Sequence, residues 1–178
     1  FCRFCECTRV EADTTFSENK LTLRSKNSYD SAVANAASAT YDARQTGIKK
    51  GCLLNNLNYF HVTENLVVDA MHDILEGVAP FEISLVLVEL CNSGYLTLDL
   101  LNKAVEFFNY SRADKNSRPP SLSAVHALKM SASEMWCFLR NLPVMVGKHV
   151  PRDDKHWKLL LMLLDITDIV FAPQITVP

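Results

Sequence analysis

Residues 67–80 read VVDAMHDILEGVAP. Two β-branched apolar residues lead into Asp69, and His72, Asp73 and Glu76 follow before Gly77 and Pro80. If the chain is helical from Asp69 on, positions 69, 72, 73 and 76 stand at i, i+3, i+4 and i+7 and share one face. Three carboxylates and an imidazole on one face make either a metal-binding surface or a charged solvent face. Upstream, NLVV (65–68) reads as a short strand that ends at Asp69. Downstream, AMHDILEGV reads as a helix. Pro80 then opens a second one, PFEISLVLVELCNSG, with Pro at its first position and Gly94 beyond its end.

Composition bounds the rest. The chain has 178 residues, 48% of them apolar and 21% charged, which is enough for a packed core. Five Gly is below the usual ~7%, so many helices and few tight turns are expected. Eighteen basic against twenty acidic residues give net −2. That balance offers no global attraction for nucleic acid, although local patches remain open. The longest apolar run, LLLMLL (159–164), is far shorter than the ~18 residues of a membrane span. Without a visible signal peptide, and with Phe as first residue, the chain reads as a fragment whose cysteines are reduced thiols or metal ligands rather than a disulfide framework.

Further helices are expected over 21–38 (polar and Ala-rich), over 97–111 (with Leu100, Leu101, Ala104, Val105 and Phe108 on one side) and over 152–172. The last is capped by Asp153 or Asp154 and stopped by Pro173. Ser131 and Glu134 form a capping box for another helix, which should kink or restart at Pro143. A second short strand is expected near 57–62, and RADKNSRPPSLS (112–123) reads as a linker. No internal repeat is visible. The expected fold is therefore mostly α, a helical array with one or two short strands and fewer than four.

The run of apolar residues into Asp69-Ala70-Met71-His72, followed by DILEGV and preceded by LNNLNYFHV, resembles the second catalytic-aspartate motif of CACTA (En/Spm-like) DDE transposases. The FCRFC at 1–5 looks like the CxxC that this family carries upstream, and LPVMVGKHVP and HWKLLLMLLDITDIVFAP look like its later helical segment. The resemblance covers nearly the whole chain. It implies a partial RNase H-like core plus helical insertion. Residues 1–64 would be a Cys-rich segment with a connecting helix and loop, and 65–178 the motif and insertion-like region, one unit truncated at both ends. It further implies a nuclear protein, DNA (transposon ends) as partner, and Mg²⁺ or Mn²⁺ as cofactor, with two metals held by three carboxylates for in-line displacement at phosphate. Asp69 would be a metal ligand, and His72 would orient it or touch a phosphate. The family's first Asp and its Glu fall outside this chain, so the chain alone should not cut DNA.

Other groups carry competing readings. Asp69 is also suited to cap a helix with His72 hydrogen-bonded to it, and Asp73 and Glu76 suit a solvated face. Cys2 and Cys5 make half a zinc site by spacing, with Cys7 and His61 as further candidates and frayed free thiols as the alternative. Glu134 reads as a capping residue rather than a catalytic one. Cys52, Cys91 and Cys137 read as small core residues. His126, His149 and His156 share no ligand spacing. Asp165 and Asp168 suit the polar edge of the last helix, and Lys148, Arg152, Lys155 and Lys158 a solvated basic cluster. Self-association is a further partner reading. An adopted interaction module and a metal-dependent hydrolase using the 69/72/73/76 face are the rival functions.

Overall fold

The computed structural model describes residues 4–38 and 40–174, and within them the fold is all-α, with eight α-helices and no strand. The chain divides into two compact units, Phe1–Val67 and Val68–Pro178. The resemblance had suggested a division after residue 64.

In the first unit four helices run Arg9–Thr14 (α1), Lys26–Asn35 (α2), Ala43–Thr46 (α3) and Val62–Asn65 (α4). The expected helix over 21–38 is thus shorter, because Ser25 caps it by accepting from the Ser28 N–H. An antiparallel bridge joins Cys5 and Leu23. The Arg24 guanidinium fastens that bridge to the following loop by donating to the carbonyls of Cys5 (3.1 Å) and Thr46 (3.0 Å). Tyr29, Ala32 and Ile48 make a small core, with Val33, Cys52 and Val62 against it.

Both expected strands are absent among the described residues, and the side chains explain the first. Across 57–62 local polar groups capture the backbone that a ladder would need. Asn55 Oδ1 accepts from the Val62 N–H (2.9 Å), Asn65 Oδ1 from the His61 N–H (2.7 Å), and the His61 ring caps α4. Residues 65–68 fail as a strand for a different reason. No described segment pairs with them, and Val67 and Val68 stay 77% and 65% exposed.

The second unit holds the main core. A continuous helical stretch starts at Ala70, runs as a π-helical segment over Met71–Val78, and becomes α5 (Ala79–Asn92). Then come α6 (Leu98–Phe107), α7 (Ala132–Val146) and α8 (Lys155–Val170). Ile83, Val86, Leu87 and Leu90 of α5 stand at i, i+3, i+4 and i+7 and are all buried. They join Leu101 and Val105 of α6, Met135, Phe138, Leu139 and Leu142 of α7, and Trp157 and Leu160 of α8. Caps at Thr97, Ser131 with Glu134, and Asp154 set the helix starts. Glu134 is therefore a capping residue, its carboxylate accepting from the Ser131 N–H at 2.7 Å.

Two sequence readings are refined in this unit. α7 does not restart at Pro143 but runs on to Val146, because the proline falls in the last turn and buried Leu142, Met145 and Val146 hold that turn in the core. The segment 112–123 does link α6 to α7 outside any α-helix, but it is anchored. Asn102 clamps Leu122 through both backbone groups (2.7 and 3.0 Å), and Pro119 is buried.

Candidate functional site

The conspicuous site is the entry to the π-helical segment. Asp69 precedes the first helical residue, and its Oδ1 accepts from the His72 backbone N–H at 3.2 Å, the geometry of a helix cap. Its Oδ2 lies 2.6 Å from His72 Nδ1, so the ring donates from that nitrogen. On the other side His72 Nε2 stands 3.6 Å from Glu76 Oε2. The imidazole thus bridges two carboxylates, with Asp69 the close partner. All three side chains are substantially exposed, whereas Asp73 is half-buried.

The four groups do not line a regular α-helical face. The Asp73 N–H still bonds to the Asp69 carbonyl four residues back (2.8 Å), but the Ala79 N–H bonds to the Ile74 carbonyl, five back. Pro80 accounts for the widening: it has no N–H, and its ring would meet the carbonyl of Glu76 in a regular α-helix. Gly77 permits it, since a Cβ there would lie 3.1 Å from the His72 carbonyl oxygen. Such π segments recur at functional sites because they re-aim side chains within a helix.

Electrostatics follows the geometry. The hydrogen bond from the His72 ring, then that from its backbone N–H, holds the Asp69 carboxyl below its usual range. The bond to Asp69 raises His72, helped by the charges of Asp69, Glu76 and Asp73. A raised His favours folding below about pH 6.5 and loses that contribution as pH climbs through its elevated value. A lowered Asp favours folding above about pH 4 and loses it as pH falls through its depressed value. The pair is therefore strongest between these limits, and being exposed it is screened by salt. NMR titration should find His72 above an ordinary histidine. Asp69→Asn should bring it back down, with only a residual lift from Glu76 and Asp73. An unshifted His72 in the wild-type chain would show that the pair does not form.

The other predicted ligands lie apart from this pair in the chain. Cys5 and Cys7 are both buried, with Sγ atoms 3.1 Å apart, and Cys2 falls outside the described residues. His61 is only 12% exposed, and its Nδ1 accepts from the Thr63 N–H (3.3 Å) and lies 2.7 Å from Thr63 Oγ1. Its Nε2 faces Asp30 at 3.5 Å, and Tyr29 packs edge-on against the ring. Sequence reasoning missed this Asp30–His61–Thr63 network, since Asp30 lies far upstream and no spacing rule connects the two.

Among the described residues no three His, Cys, Asp or Glu side chains are grouped to hold a metal ion. Asp69 offers one carboxylate with lone pairs left for a cation, which suits a hard metal but does not complete a site. Burial raises the Cys91 and Cys137 thiols, in keeping with core packing. No helix among the described residues is long and apolar enough to cross a membrane. No protein-family model matches the chain, and no curated protein or solved structure is significantly similar to it.

Proposed function

We propose that this chain is the second-aspartate segment of a CACTA-like DDE DNA transposase, contributing Asp69 to a two-metal site whose other carboxylates lie elsewhere in the same protein. The observation that carries this reading is the Asp69–His72 pair at a helix entry (2.6 Å), directly after an apolar segment that stays exposed. Val67 and Val68 have the composition of a buried strand but no described partner. An RNase H-like sheet would supply one, and it would fix Asp69 at a strand end. In this role His72 holds the carboxylate in one rotamer, leaving its remaining lone pairs toward Mg²⁺ or Mn²⁺. The metals, when bound, activate the attacking oxygen and stabilise the leaving one. One carboxylate does not hold two metals, so no chemical step belongs to this chain by itself.

Two assays test the reading. The complete transposase should lose excision of its element on Asp69→Asn. The 178-residue chain alone, with Mg²⁺ or Mn²⁺, should leave supercoiled plasmid intact. Metal-dependent nicking by the chain alone, abolished by Asp69→Ala, would replace the transposase reading with a hydrolase acting through the helix face itself.

A further inference from the structure

Two thiols near the start of the chain take no part in the Asp69 site. The Cys5 S–H points at Cys7 Sγ across 3.1 Å, and the two side chains are buried, 4% and 8% exposed. Cys5 is fixed in the bridge to Leu23. There the Glu6 N–H donates to the Thr22 carbonyl and the Arg24 N–H to the Phe4 carbonyl, both at 2.9 Å. The sulfur pair therefore sits on the backbone that ties the start of the first unit to the residues before α2.

The two cysteines differ in access. Cys7 lines a cavity of about 180 Å³ together with Glu6, Glu11, Lys20, Leu21 and Thr22, whereas Cys5 is not part of its wall. Two carboxylates against one ammonium give this cavity a negative balance. That balance opposes an anionic reagent and admits a small neutral one. A thiol that a small oxidant can reach, with a second thiol aimed at its sulfur, is the arrangement of a reacting and a resolving cysteine.

We propose that Cys5 and Cys7 form a peroxide-sensitive dithiol, in which Cys7 reacts first and Cys5 resolves it to a disulfide. The Cys7 thiolate attacks one oxygen of hydrogen peroxide. The S–O bond forms as the O–O bond breaks, leaving Cys7 as a sulfenic acid and releasing hydroxide, which leaves as water with the proton the thiol gave up. The Cys5 sulfur then attacks the Cys7 sulfur. The S–S bond forms as the S–O bond breaks, and the Cys5 proton departs with the hydroxyl as a second water. Two electrons pass from the thiol pair to the peroxide, so no other oxidant is required. The crosslink spans only Cys5, Glu6 and Cys7, and so short a loop gives the least stabilisation by chain entropy, which keeps it reversible. It also draws the sulfurs about 1 Å closer than their present 3.1 Å, and the backbone nearest that movement is the bridge to Leu23. Oxidation should therefore loosen the bridge. This inference is independent of the transposase reading.

Peptide mass mapping of the 178-residue chain after treatment with equimolar hydrogen peroxide tests it. Trypsin cuts after Arg3 and Arg9, so Cys5 and Cys7 share one peptide and Cys2 falls in another. In the wild type the 4–9 peptide should become about 2 Da lighter, and dithiothreitol should reverse this. Oxidised glutathione, an anion, should react at least about tenfold more slowly than peroxide. In Cys5→Ser, dimedone should trap a sulfenic acid at Cys7; in Cys7→Ser, Cys5 should stay unmodified. The Glu6 and Arg24 amides should exchange with deuterium about tenfold faster in the oxidised wild type than in the reduced one. The wild-type measurements need no variant to fold. An unchanged 4–9 peptide, or a disulfide joining Cys2 to Cys5, overturns the inference. So does a bound zinc ion that shields both thiols from peroxide, or dimedone captured on Cys5 in Cys7→Ser. Unaltered exchange at Glu6 and Arg24 would overturn the link to the bridge.

Discussion

Asp69→Asn is expected, under the proposed transposase reading, to reduce DNA excision by the complete protein on the order of 10⁴-fold, the scale of losing one member of a catalytic unit. The amide keeps the shape and can still cap the helix through its oxygen, so folding should survive. What it loses is the negative charge that a divalent metal requires. His72→Ala should cost less, roughly 10–100-fold, because His72 acts through the carboxylate that it orients at 2.6 Å. If that is its role, His72→Ala should be partly rescued by raised Mn²⁺, whereas Asp69→Asn should not. Glu76→Ala should change activity by no more than about threefold, since Glu76 reaches His72 only across 3.6 Å at the surface. Asp73→Ala should behave like Glu76→Ala, as both raise His72 through their charge. Full activity in Asp69→Asn would refute the transposase assignment. Equal losses at 69, 72, 73 and 76 would instead identify a metal face built on the helix.

The parts of this structure that could be read from the sequence are those fixed by local rules. Ser131 with Glu134, and Asp154, announce helix starts because an orphan N–H needs a nearby oxygen. Asp69 and His72 meet because i and i+3 are neighbours at a helix entry. What could not be read depends on distant partners or on competition between local ones. The apolar run at 65–68 looks like a strand, but a strand exists only where another segment pairs with it, and none does among the described residues. At 57–62 the side chains of Asn55, His61 and Asn65 outcompete a ladder for the backbone. Pro80 reads as the start of a helix, and α5 does begin at Ala79 with the proline in its first turn; what could not be read is that a π-helical segment runs into it without a break. Even with that widening His72 stays 2.6 Å from Asp69 and 3.6 Å from Glu76, so these three ionisable groups still meet.

The same distinction between local pattern and distant partner decides which stripe of α8 is core, and Phe138 provides the sharpest measurement. Phe138→Ala should destabilise the second unit by about 3–5 kcal/mol, the usual cost of removing a buried aromatic side chain. Phe138 is fully buried, on a helix that packs against the π-helical segment, α5, α6 and α8 at once, so no single neighbour can move in to fill the space. Against a typical total of roughly 5–15 kcal/mol, this loss would leave the unit close to unfolding at 37 °C. The midpoint should fall by roughly 15 °C or more in a thermal melt followed by circular dichroism. Ile166→Ala, an apolar truncation on the exposed stripe of α8, should change stability by less than about 0.5 kcal/mol. Both positions are apolar and both sit at helical spacing, so sequence pattern alone would rank them as equals. Because α7 also packs on the π-helical segment Met71–Val78, which contains His72, the loss at Phe138 should loosen the Asp69–His72 pair. In the partly destabilised variant the His72 titration should move back toward an ordinary histidine. A loss below about 1 kcal/mol at Phe138, or an equal loss at Ile166, would mean that the core is not organised around α7.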